Sequence, residues 1–191
     1  MRLGYRAIFV LVFSTVLTLS VRAEMAAQLV PVDTKLLDGT RLQLLNAKST
    51  VDLPGAGWKW MTYPGAGRNF FCVNNTGQSY LVAAGELHGD FTDHQPTSLI
   101  TNAKKAIEAR GGKLEADKFE WVEIPGISKC VRVTFVEVEK PGTKSLVILY
   151  IAQTVGSSSV KVQFNGTAGV TAEPEAFKAL AKSLKLVAEK K

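Results

Sequence analysis

From Ser49 to the end, the chain reads as short stretches of period two broken by two stretches of helical period. "SVKVQFN" (159–165) alternates cleanly, with Val160, Val162 and Phe164 on one face and Lys161 and Gln163 on the other. That is the signature of a strand with one buried face. "SLVILYIAQ" (145–153) is apolar without a break, which predicts a central strand covered on both faces. "STVDL", "WKWMTY", "RNFFCV", "QSYLVAAGELHG", "KFEWVEI" and "CVRVTFVEVE" complete the strand-like set. In the last of these, Val131, Val133 and Phe135 share a face before the phase slips to Val136 and Val138, which predicts a bulge there. Asn74, Asn75 and Gly77 mark a hairpin, because these residues tolerate positive φ. Two copies of Pro-Gly-Ala-Gly, at 54–57 and 64–67, are turns: neither continues into Gly-Lys-Ser/Thr nor opens a helix.

The helical period appears twice. Leu99, Ile100, Ala103, Ala106 and Ile107 fall on one face of a helix predicted to open at Pro96 and to end at Gly111-Gly112. Phe177, Leu180, Ala181 and Leu184 follow the i, i+3, i+4, i+7 rule after Pro174. The order is strands, helix, strands, helix, with neighbouring strands joined by tight turns. The predicted class is α+β: a mainly antiparallel sheet with two main helices packed on it.

The first 47 residues follow a different pattern. Arg2 and Arg6 precede an uncharged run of 13 residues, Ala7–Leu19, and Val21-Arg22-Ala23 offers a cleavage site. This predicts a signal peptide over 1–23, since a spanning helix needs about 20 apolar residues. Residues 24–47 are then a leader, with Asp38-Gly39 between apolar runs as a hairpin signal. Residues 48–191 form one α+β domain. Removal of the signal peptide leaves 168 of the 191 residues. It takes three of the 23 basic residues and no acid, so the formal charge of +6 falls to +3. That balance gives no case for nucleic acid, and the mature chain has no integral membrane span. The expected location is the periplasm or the exterior. Two cysteines, Cys72 and Cys130, stay in the exported part. They can form one disulfide, or each can be a buried free thiol.

Candidate chemistry gathers in "AGELHGDFTDHQP" (84–96), which holds both histidines. Glu86, His88, Asp90, Asp93 and His94 could hold zinc with an open position, two imidazoles and a carboxylate being sufficient. The competing reading is a wet loop that leaves a strand and opens a helix, with Asp93 capping that helix or complementing its dipole. The spacing matches neither His-Glu-x-x-His nor a Cys/His pattern. No Gly-x-Ser-x-Gly elbow marks a serine nucleophile, and Glu120 and Glu123 beside Trp121 alternate as ordinary strand residues. Of the tryptophans, Trp58 and Trp60 share a strand face. Trp58 reads as core, whereas Trp60 is either core or a surface able to grip a sugar or peptide.

The layout resembles the PsbP-like superfamily over residues 48–187. An early strand ends in "LPGAGW", a mid-chain helix leads into a long β-meander, and a closing helix ends in "FKALAKSLKL". That group spans extrinsic photosystem proteins, a nuclear-import factor that binds Ran, and exported bacterial proteins of the DcrB type. The resemblance implies an α/β/α sandwich and a non-catalytic binding or assembly role, and it transfers no catalytic residue. The expected function is an exported binding or assembly protein of the cell envelope, with an envelope protein or small ligand as partner and no cofactor. The alternative is a metal-binding protein or metal-dependent enzyme built on the 86–94 cluster.

Overall fold

The computed structural model describes residues 28–65, 68–87, 91–138, 142–166, 170 and 172–187. Twelve strands are assigned among them: Val30–Pro31 (β1), Leu37–Asp38 (β2), Arg41–Leu44 (β3), Ser49–Asp52 (β4), Trp58–Thr62 (β5), Asn69–Asn74 (β6), Ser79–Glu86 (β7), Lys113–Trp121 (β8), Lys129–Val138 (β9), Lys144–Gln153 (β10), Ser158–Asn165 (β11) and Lys185–Leu186 (β12). Two α-helices accompany them, His94–Ala109 (α1) and Glu175–Lys182 (α2).

The main sheet has eight strands in the order β1-β5-β6-β7-β11-β10-β9-β8, and a second sheet has the order β12-β4-β3-β2. Every pairing in both sheets is antiparallel. The chain is thus α+β, with a mainly antiparallel sheet and two helices. The apolar run at 145–153 sits where its composition requires. β10 lies between β11 and β9, with Leu146, Ile148, Tyr150 and Ala152 in one core and Val147, Leu149 and Ile151 in the other.

These two cores lie on opposite faces of the main sheet. On one face, α2 and the small sheet bury Phe177, Leu180, Leu184, Leu42, Leu44 and Val51 against β5–β7, β10 and β11. On the other, α1 closes over Val131, Val133 and Phe135 of β9 and the odd-numbered face of β10 through Leu99, Ile100 and Ala103. α2 has only eight residues, too few to persist alone in water, so burial of its stripe holds it helical.

Residues 30–47 are woven into the domain. β1 pairs with β5, and the β2–β3 hairpin, turning at Gly39 with φ +60°, pairs through β3 with β4. α1 starts at His94, two residues before the expected Pro96, so the proline sits within the first turn, where its missing N–H costs nothing. Its end is as expected: Gly111 adopts φ +79°, and the N–H groups of Gly111 and Gly112 bond back to the Glu108 and Ile107 carbonyls.

The bulge lies elsewhere than expected. β9 pairs with β10 without interruption, and Glu137 continues the face of Val131, Val133 and Phe135 at 1% exposure. The irregularity falls on the partner strand, between Leu114 and Ala116 of β8. The apparent slip in the sequence was a charged residue on a buried face.

Candidate functional site

The site is built where the C-terminal end of β8 meets the start of α1. Trp121 is the last residue of β8 and faces Val131 of β9, on the side of the sheet that α1 covers. The chain before α1 crosses in front of it. Phe91 is buried there, edge-on to the Trp121 indole with ring centres 5.2 Å apart. The indole Nε1–H donates to Asp93 Oδ1 at 2.8 Å. Lys129, the first residue of β9, donates from Nζ to the Phe91 carbonyl at 2.9 Å and so ties this crossing to the sheet. Phe91, Thr92, Asp93, His94, Trp121 and Lys129 line a cavity of about 440 Å³ that opens widely to solvent.

Asp93 is the N-terminal flanking residue of α1, but its carboxylate makes no capping bond to that helix. The Gln95 side chain accepts from the Thr92 N–H instead, and Thr97 Oγ1 donates back to the Asp93 carbonyl. This leaves the Asp93 carboxylate to hold the indole. His94 Nε2 lies 3.4 Å from Ser98 Oγ, one helical turn on. Trp121 stays 43% exposed, while Val131, opposite it on β9, is fully buried. The arrangement offers one fixed aromatic face, one carboxylate, one ammonium and one imidazole around a shallow concavity.

The proposed metal ligands are only partly brought together. Asp93 and His94 line the cavity, Glu86 is exposed at the end of β7, and His88 and Asp90 lie outside the described residues. Among the described residues, no three His, Cys, Asp or Glu side chains converge.

The sugar-gripping surface read at Trp60 is corrected. Trp60 is 4% exposed, and its Nε1–H donates to the Thr40 carbonyl at 2.9 Å. The leader hairpin folds over it, which removes the indole from any ligand. Trp58 stacks on Tyr80 at 4.8 Å, in keeping with its core reading. The disulfide reading is corrected too: both cysteines are free and buried. β6 and β9 are four strand steps apart in the order β6-β7-β11-β10-β9, on the order of 20 Å at the usual strand spacing. A disulfide tolerates about 7 Å between Cα atoms. Burial pushes both thiols up to about 12, which keeps them protonated and unreactive.

A second polar cluster went unread in the sequence. Arg132 Nη1 donates to Glu120 Oε1 at 2.8 Å, and Nη2 donates to Glu173 Oε2 at 3.1 Å. The Tyr150 hydroxyl donates to Glu173 Oε1 at 2.8 Å. Burial raises the Tyr150 pKa, and its bond to Glu173 adds to the rise. The guanidinium is held through its two terminal nitrogens by two carboxylates, while its buried Nε has no hydrogen-bond partner among the described residues, so the cluster ties the segment before α2 to the sheet and offers no nucleophile. Its members come from β8, β9, β10 and a loop, a separation no local pattern reveals.

Trp121 itself carried one legible signal: it is the last aromatic of an alternating run, next to the turn at Pro125-Gly126. A residue there sits at the rim of a sheet, whereas Trp60 lies mid-strand. No family model matches the chain, and comparison with curated proteins gives no match.

Proposed function

We propose that this chain is an exported, soluble protein of the cell envelope that works by binding, with the Trp121 corner as its ligand site. The observation that carries the reading is how the polar groups there are spent. Asp93 fixes the indole, and Lys129 fixes the Phe91 backbone. Both are positioning bonds that prepare a contact surface, and neither activates a nucleophile or a water. A fixed aromatic ledge with polar groups around it, in a concavity of about 440 Å³, has the character of a small-ligand site.

The leader sequence supports export, with cleavage after Ala23 and a periplasmic or secreted destination. The layering, one helix on one face of the sheet and a short helix with a small sheet on the other, agrees with the sandwich expected of the PsbP-like superfamily. That resemblance favours a binding or assembly role without a cofactor. The partner is an envelope protein or a small ligand.

The test is a ¹H–¹⁵N spectrum of the protein as recovered from expressing cells, titrated with a soluble extract of the native envelope. Movement of the Trp121 indole resonance, with those of Trp58 and Trp60 unmoved, supports the reading. An extract component converted to product by the protein would overturn it. So would stoichiometric zinc in tag-free protein that is lost in His88→Ala, which belongs to the rival metal-site reading.

A further inference from the structure

Resting on the reading of the Trp121 corner as a binding site, we propose that its ligand is a neutral saccharide, one hexose ring stacking on the Trp121 indole. Three observations lead there. The first is the platform. Trp121 is the exposed one of the three tryptophans, at 43%, since Trp60 is buried and Trp58 is stacked on Tyr80. Its plane is set before any ligand arrives, by the Asp93 bond at 2.8 Å and by the near-perpendicular packing of Phe91. An aromatic held this way loses little freedom on binding, so its contact area converts efficiently into affinity.

The second is charge. The cavity carries one carboxylate, Asp93, and one ammonium, Lys129. Their charges offset, so neither an anion nor a cation is selected. What remains beyond the two positioning bonds is hydrogen-bonding capacity: the second Asp93 carboxylate oxygen that accepts, the further N–H groups of the Lys129 ammonium that donate, and the His94 imidazole that can do either. The third is shape. The concavity is within the usual size of small-ligand sites, yet it opens widely to solvent.

A pyranose ring matches all three. One of its faces is a patch of C–H groups suited to an indole, its rim is hydroxyls that both donate and accept, and it carries no net charge. The wide opening leaves room for a chain of such rings to continue beyond the ring that stacks. A flat heteroaromatic would use the indole but make none of the hydrogen bonds that the solvated rim of Asp93, His94 and Lys129 offers.

The test uses ¹⁵N-labelled protein as recovered from expressing cells, titrated with chito-, cello- and malto-oligosaccharides at up to millimolar concentration. The expected result is saturable movement of the Trp121 indole and His94 amide resonances with at least one series. Calorimetry should then show affinity about tenfold or more weaker in Trp121→Ala and largely kept in Trp121→Phe. Asp93→Ala, which frees the indole without removing it, should weaken binding by a smaller factor, and it serves if Trp121→Ala fails to fold. Silence with all three series overturns the saccharide assignment. If the indole then moves with envelope extract or a proline-rich peptide, the binding site stands and only its ligand class is wrong. If no titrant moves it, both fall.

Discussion

Truncating Phe177 to alanine tests the architecture at its most crowded point. The ring is fully buried, and its centre lies 5.3 Å from that of Tyr80, 5.5 Å from Phe164 and 5.8 Å from Tyr150. These partners come from β7, β11 and β10, so one side chain from α2 bridges three central strands. A buried Phe→Ala change costs about 3–5 kcal/mol, the removed area plus the cavity left behind. Rigid strands around the ring leave little room to collapse, which puts the value toward the upper end. With a urea slope of about 2 kcal/mol/M, the unfolding midpoint should fall by about 2 M. Lys182→Ala, at the exposed end of the same helix, should stay within about 0.5 kcal/mol of the parent. A midpoint shift under about 0.5 M for Phe177→Ala would mean that α2 does not seal this core, and the two-sided burial of β10 would be wrong with it.

Three further outcomes follow from named contacts. In Gly112→Ala a Cβ would meet the Val138 carbonyl oxygen at 2.8 Å and Ile107 Cγ2 at 2.9 Å; the substitution should cost about 1–3 kcal/mol and lower the thermal midpoint, and an unchanged melt would refute the packing of the end of α1 against β9. Both thiols should ignore Ellman's reagent in the native protein and react together in denaturant, and prompt native reaction of either would contradict their burial. Because burial raises the two thiols from 9.0 to about 12, the folded state holds its protons longer than the unfolded chain; stability is fully present below pH 9.0 and should fall as pH rises from there toward 12, by about 1.4 kcal/mol per pH unit per thiol, whereas a flat denaturation midpoint over that range would refute it.

Much of the fold was legible because its signals are local. The unbroken apolar run of β10, the stripe of α2 and the Asp38-Gly39 turn each depend on residues a few positions apart, and each element forms where its pattern lies. What went unread depends on distant partners. Trp60 looked available because nothing nearby in sequence shows that Thr40, twenty positions earlier, folds back to accept its N–H. The two cysteines sit in similar apolar strands, but the strand order that separates them is set by the β7–β11 pairing, which no local rule reveals. Glu137 mimicked a break in phase because a carboxylate on a buried face is rare. The candidate site was half read. Asp93 and His94 stood out as polar residues before a helix, while the indole they surround is 28 positions away from Asp93. Of the two roles read for Asp93, capping or complementing the helix dipole, the side-chain cap is absent, because the carboxylate accepts from an indole across the fold, while the residue does stand at the N-terminus of α1.

The most direct test of the account is site-directed photo-crosslinking in the native envelope. A photoreactive residue at Thr92, on the rim of the cavity, should give a specific adduct that disappears when Trp121→Ala is added. The same group at Lys105, on the exposed side of α1, should give none. Identical adducts at both positions, or a turned-over small molecule as the sole specific product, would contradict a protein that works by holding a ligand against Trp121.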